Sequence, residues 1–270
     1  METRVNVDKN TIERFGIQWT SFTENTGYYG SKDCLSDIFG PLLTLEDIKG
    51  KHICDVGSGT GRIVNMLLDA GADFVTALEP SEAFKTLEKN TIQRKDKIQL
   101  IQDTGDKIPS TGQFDYVISL GVLHHILDPT PTVQAAFNAL KPGGKILIWI
   151  YGFEGNKLYL SIFGPLRKLT ARLPHSILSC LSGFLGYFVD FYIFLCRFLP
   201  LPMRNYFQNH LAKLDREQRK ITIYDQLNPT HAKYYKKQEV ENLLREQGFQ
   251  KVRLYHRHGY SWTALGEKKA

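Results

Sequence analysis

Apolar residues along this chain fall into two alternating rhythms. A short β-prone run (Ile53, Cys54, Val56) meets glycines at three alternate positions, Gly57, Gly59 and Gly61. The run after them, Ile63, Val64, Met66, Leu67 and Leu68, is spaced for one face of a helix. The alternation then repeats. Strands are predicted at 74–79, 98–102 and 114–119, with a helix from Glu82 to about Ile92 for which Ser81 reads as the N-cap. Another helix at 132–140 stops at K-P-G-G (141–144), where a left-handed cap and a turn are expected. The strand after it, 145–151, is apolar on both faces, as a buried parallel strand is. A helix at 237–247 ends at Gly248, and residues 251–256 and 260–265 alternate about a His-Gly turn as an antiparallel hairpin. Strands alternating with helices predict an α/β fold.

Two stretches break the alternation. Residues 1–47 are too polar to form their own core, yet place Phe15, Trp19, Tyr28 and Tyr29 near glycines. They read as an arm packed on the main domain, as a flap closing over a site, or as both. Residues 153–222 hold 12 of the chain's 32 aromatic residues. Between Leu173 and Cys196, Asp190 is the only Asp, Glu, Lys or Arg, and apolar residues from Ile177 to Leu199 surround the helix on every side. Such a helix is buried or in contact with lipid. At ~1.5 Å per residue it is long enough to cross a bilayer. Asp190, Gly183 and Gly186 argue against crossing, and a lone span would put two halves of one domain on opposite sides. The first expectation is a buried lid over the active site, and the second an interfacial lid that touches membrane. The expected organisation is therefore an arm at 1–47, a core at 48–152, a helical lid insertion at 153–222 and a completion of the core at 223–270.

Charge follows the same division. The formal net charge is +6, and residues 153–222, with ten Lys/Arg against four Asp/Glu, hold all of it. Arg167, Lys168, Arg172, Arg197 and Arg204 flank the apolar run. They suit an anionic lipid surface or a phosphate-bearing substrate, and otherwise form a solvated face. The first residues show no apolar core and no cleavage-site pattern, so a cytoplasmic protein is expected, peripheral at the membrane if the lid touches it. Cys34, Cys54, Cys180 and Cys196 are scattered without a C-x-x-C pair, so no metal site and no disulfide framework is expected.

The candidate chemistry starts at the glycines. A strand, a glycine turn and a helix let backbone N–H groups approach a ligand closely. The dinucleotide spacing G-x-G-x-x-G fails here, because the third glycine position holds Arg62. The pattern is D-V-G-S-G-T-G (55–61), and a carboxylate at the strand end repels a pyrophosphate but suits a cationic, amino-acid-bearing ligand. Glu79 follows Gly59 by 20 residues, where a carboxylate can accept from both hydroxyls of a ribose. F-D-Y-V-I-S (114–119), V-L-H-H (122–125), D-P (128–129) and L-K-P-G-G-K-I-L-I (140–148) follow. Together these resemble the class I S-adenosylmethionine (SAM) methyltransferases of small-molecule type, over roughly 48–152 by motif and 236–266 by layout.

That resemblance implies a Rossmann-like, seven-stranded doubly wound sheet with a helical lid, and SAM as cofactor. It assigns cofactor contacts to Asp55, Gly57, Ser58, Gly59, Gly61, Glu79, Pro80, Asp103, Thr104, Ser119 and Leu120. Asp103 is the acid expected at the adenine amino group. Asp106 is the alternative, because the spacing to Pro109 is one residue longer than the common pattern. The N/D-P-P-Y/F motif of enzymes acting on nucleic-acid base amines is absent, which speaks against nucleic acid as a partner. Methyl transfer from a sulfonium depends mostly on placement. A hydroxyl acceptor also needs its proton taken, for which His124, His125, His231 and Tyr151 are candidates. The function expected is O-methylation of a bulky apolar or lipid-linked small molecule. The alternatives are a protein or RNA methyltransferase using the basic lid, and a SAM-binding protein without turnover.

Overall fold

A computed structural model of the chain describes residues 2–110, 112–229 and 231–270, leaving aside the side chains of residues 2–8, Ile162 and Lys168. Its strands are β1 (His52–Val56), β2 (Phe74–Leu78), β3 (Ile98–Ile101), β4 (Phe114–Leu120), β5 (Leu140–Tyr151), β6 (Gln250–Arg257) and β7 (Ser261–Glu267). They form one sheet in the order β3-β2-β1-β4-β5-β7-β6. β1 to β5 pair in parallel, while β7 runs antiparallel between β5 and β6. The expected fold class therefore stands. The strand order reverses between β1 and β4, and the crevice outside the carboxyl ends of those two strands is where such sheets bind ligands.

Crossover helices α3 (Arg62–Asp69), α4 (Phe84–Thr91) and α5 (Thr130–Ala139) connect the parallel strands. α3 turns Ile63, Val64, Met66, Leu67 and Leu68 into the core and leaves its polar residues outward, as its apolar spacing predicts. Two local expectations are corrected. The helix after β2 starts at Phe84, because the Ser81 hydroxyl is drawn to Glu79 and accepts from Ala83 N (3.1 Å) ahead of the first turn. The K-P-G-G stretch is the irregular start of β5: Leu140 pairs with Phe114, and the register shifts before Lys145 meets Tyr116.

The N-terminal 47 residues are both packed arm and roof. α2 (Lys32–Phe39) buries Leu35, Ile38 and Phe39 against Ile48 and Ile53. α1 (Glu2–Ser21) crosses close to the start of α4, where a Cβ on Gly16 would stand 3.3 Å from Ser81 and from Glu82 N. Asn25 then holds the arm to the glycine turn, accepting from Thr60 Oγ1 (2.8 Å) and donating to Thr60 O (3.2 Å).

The insertion contains α6 (Lys157–Thr170), α7 (His175–Phe198), α8 (Arg204–Asn209) and α9 (Arg216–Leu227). The boundary expected at 222 falls inside α9, which opens with a capping box between Asp215 and Gln218 and runs on to Leu227. A larger correction concerns α7. It lies along α9, burying Leu178, Ser182, Gly186, Ile193 and Cys196, and it turns Phe184, Phe188, Phe191 and Phe198 to the outside. It is an outer layer and not a buried lid over the site. α10 (Lys237–Arg245) and the β6–β7 hairpin complete the sheet as expected.

Candidate active site

A cavity of about 440 Å³ opens at the carboxyl ends of β1 and β4. At one end its wall is the glycine turn. Gly57 has φ +76, and a Cβ there would come to 2.5 Å of Val122 Cγ2, so only glycine lets the turn close. Gly59, with φ +52, lies below the Trp19 ring of α1, which a Cβ would meet at 3.5 Å. Glu79 is buried beside this turn. It accepts from Gly59 N (2.8 Å) through Oε2, and from Ser81 N (3.0 Å) and Ser81 Oγ (2.5 Å) through Oε1. A carboxylate has about four lone-pair sites, so Glu79 retains acceptor capacity towards the cavity it lines.

Of the cofactor residues expected from sequence, Gly57, Ser58, Gly59, Glu79 and Pro80 line this end, and Thr104 and Leu120 close it further along. Asp55, Gly61, Asp103 and Ser119 are not on the wall. Gly61 caps the start of α3 in a left-handed conformation, and Ser119 Oγ points back to Val56 O (3.5 Å). Asp103 is corrected in favour of its alternative: it is exposed and folds back on Thr104 N (2.8 Å), whereas Asp106 lines the cavity and accepts from Thr104 Oγ1 (2.5 Å). Asp55 lies beneath the turn with one carboxylate oxygen buried and unpartnered, and burial pushes its carboxyl up to about 7.

The other end is aromatic and was only partly visible in sequence. Tyr151, at the end of β5, donates to Asp225 Oδ2 (2.9 Å) and accepts from Gln226 Nε2 (2.7 Å), both on α9. Gln18 of α1 donates to the second oxygen of Asp225 (3.0 Å). Burial and the adjoining Asp225 carboxylate hold the Tyr151 hydroxyl well above the usual phenol range, so it keeps its proton. Tyr151 is thus a donor to Asp225 and not the base proposed from sequence.

The three candidate histidines separate clearly. Only His125 lines the cavity. Its Nδ1–H donates to His231 O (2.9 Å), and burial lowers it to about 4, so its Nε2 carries a lone pair at neutral pH. His124 is fully buried behind it, its ring 3.8 Å from that of Tyr151 and 4.1 Å from that of His125, centroid to centroid. His231 acts here through its backbone carbonyl. His124 and His231 are therefore corrected to structural neighbours of His125.

A second wall was missed altogether. Arg257, 1% exposed, donates to Asp37 Oδ2 through Nε (3.0 Å) and to the Tyr260 hydroxyl (2.5 Å). His258 Nε2 also donates to Asp37 (2.9 Å). Burial opposes ionisation of Asp37, but these hydrogen bonds outweigh it and hold the carboxyl well below its usual range. Arg257 and Tyr260, with Trp149 and Tyr206, face the cavity, and the arginine's charge is already matched.

Residues 54–148 match a family model described as a methyltransferase domain. Over that stretch the chain carries a methyltransferase domain. Over 115 residues it is 28% identical to a tRNA U34 carboxymethyltransferase of Pseudoalteromonas atlantica, covering 42% of this chain and 36% of that protein. Over 154 residues it is 32% identical to a ubiquinone biosynthesis O-methyltransferase of Nitrosococcus oceani, covering 54% of this chain and 63% of the relative. The methyltransferase domain thus spans little more than a third of the first relative. Among solved structures, magnesium protoporphyrin IX methyltransferase from Synechocystis, with S-adenosylhomocysteine bound, superposes with a TM-score of 0.53 at 14% identity, over 88% of this chain and 83% of that one. The cofactor of such a domain is SAM. Its residues here fit that ligand: a glycine turn that a Cβ at Gly57 would obstruct, the buried Glu79 carboxylate lining the cavity beside it, and the orphaned Asp55 oxygen under the turn.

Proposed function

We infer that this protein methylates a hydroxyl group of a bulky, largely apolar small molecule, using SAM. One observation carries the reading: a single cavity joins the glycine turn and Glu79 to an aromatic end where His125 and Asp225 meet. SAM supplies an electrophilic methyl whose transfer leaves a neutral thioether. The chain's own part is placement, exclusion of water and removal of one proton. His125 Nε2 accepts the hydroxyl proton as the new O–C bond forms, and the Asp225 carboxylate offsets the imidazolium charge. Tyr151 and Gln18 fix Asp225 by one hydrogen bond to each oxygen.

The cavity wall carries two arginines, Arg62 and Arg257, against Glu79, Asp106, Asp128 and Asp225. Arg62 is itself engaged with Tyr29 O (3.0 Å). A wall of this sign repels a phosphate-rich acceptor. That argues against an RNA substrate despite the tRNA-directed name of some relatives, and against a phosphate group near the transferred methyl.

The test is transfer of label from methyl-labelled SAM to a small-molecule extract, read by mass spectrometry. Label on the oxygen of an apolar small molecule is the expected result. Label in RNA or protein instead would overturn the substrate class. Calorimetric SAM binding with no transfer to any fraction would make the protein a non-catalytic SAM binder.

A further inference from the structure

The outer face of α7 has no role in the site and an unusual composition. On the buried side stand Leu178, Ser182, Gly186, Ile193 and Cys196. On the exposed side stand Ile177, Phe184, Phe188, Phe191, Phe194 and Phe198, with Tyr187 at the edge. Their spacing of three, four or seven residues keeps them on one face. From Ile177 to Phe198 this stripe is ~32 Å long at ~1.5 Å per residue. A helix that only covered α9 would turn polar residues outward.

Charge bounds the stripe. Asp190, the one acid of α7, is drawn off it by an ion pair with Arg219 of α9, Nε to Oδ1 2.8 Å. Arg172 lies exposed before α7, and Arg197 and Arg204 lie exposed at its far end. Along the edge, the Arg216 guanidinium sits 3.9 Å from the centre of the Tyr187 ring. Exposed Leu199 and the prolines after it extend the apolar surface past the helix end.

We propose that α7 docks this protein on the surface of an anionic lipid bilayer, lying in the interfacial plane with its phenylalanines among the acyl chains and its arginines at the headgroups. Aromatic residues flanked by cations suit that boundary. α7 is long and apolar enough to cross a membrane. Its inner face, however, is committed along its length to packing with Tyr224 and Leu227 of α9 at one end and with Leu211 and Leu214 at the other. It therefore lies on the bilayer without spanning it. A second copy of the chain fits less well. A two-fold antiparallel pairing of α7 with itself sets Arg172 of one copy against Arg197 and Arg204 of the other, like charge against like. The docking inference does not depend on the methyl-transfer reading, and its readouts need no substrate.

Flotation with phosphatidylcholine vesicles, with and without phosphatidylglycerol, tests it on the full chain. The wild type should float with the anionic vesicles and much less with the neutral ones, and added salt should weaken the association. Phe188→Ser with Phe191→Ser should lower the partition coefficient by ~10²-fold or more, since each removes a buried aromatic from the lipid. Arg197→Glu with Arg204→Glu should abolish the preference for anionic lipid. Both pairs are exposed, so melting temperature and SAM affinity should hold in each. No flotation of the wild type, or flotation unchanged in both double variants, overturns the proposal. So does a dimer in light scattering that the phenylalanine variant dissolves while no vesicle binding occurs, because the face would then be a self-interface.

Discussion

Helices α3 and α7 are both apolar in sequence, and they treat water in opposite ways. α3 hides Met66 and Leu67, leaves Asp69 exposed and ties the half-buried Arg62 and Asn65 to Tyr29 O and Asn90 O, so its pattern and its packing agree. α7 hides Leu178 and Ile193 beside a serine, a glycine and a cysteine, and shows the solvent five phenylalanines. The difference teaches that a hydrophobic face predicts a core only where the opposite face is polar enough to choose. Around α3 the sequence makes that choice. Around α7 both faces are apolar, and the packing against α9 decides. The proposed function divides the same way: the motif-bearing part around α3 would hold the cofactor, and the insertion around α9 would hold the acceptor.

If that division is right, changes at the two ends should separate in kinetics. The largest effect is expected at the acceptor end, where His125→Ala should lower kcat by ~10²–10⁴ while calorimetry finds SAM affinity retained. A parallel loss of SAM binding would break the division. At the cofactor end, Glu79→Ala removes charge-assisted acceptors worth about 1.5–3 kcal/mol each, so SAM affinity should fall by tenfold or more. An unchanged dissociation constant would remove Glu79 from the ribose. Tyr151→Phe is gentler. It deletes one hydrogen bond to Asp225 while Gln18 still holds the other oxygen, so a fall in kcat within about tenfold is expected, from a net value of ~0.5–1.5 kcal/mol.

Acid and base should act on the two ends with opposite sign. His125 is held below its unfolded value, so the stability it contributes is complete above pH 6.5 and is lost as pH falls towards 4. Asp55 is held above its unfolded value of 3.8, so the apo protein loses stability as pH rises towards about 7. Asp55→Asn should therefore raise the melting temperature more at pH 8 than at pH 5. A gain independent of pH would place the carboxyl outside the turn's control.

What could be read from sequence was local. The glycine turn, Glu79 and the parallel strands follow from patterns a few residues long, and the structure puts them where those patterns indicate. Asp103 was preferred to Asp106 because sequence gives distance along the chain, not the direction a 3₁₀ turn faces. Asp225, Gln226 and Gln18 carry no local signal: Gln18 and Asp225 are 207 residues apart and meet only because α1 packs on α9. The polar run from 225 to 235 marked the region, and its chemistry appears only once Tyr151 is beside it. Arg257, in a strand that alternates like any hairpin, gave no sign of being buried.

α1 touches both ends of the cavity, which couples them in the proposed reaction. Trp19 covers the glycine turn, while one residue earlier Gln18 holds Asp225 and also accepts from Asn228 (2.9 Å). Lifting α1 to exchange a spent cofactor would uncover the turn and release Asp225 in the same motion. The open protein would then lack the fixed Asp225 that the proposed proton transfer uses. Closing it would cover the turn and hold Asp225 again in the same motion.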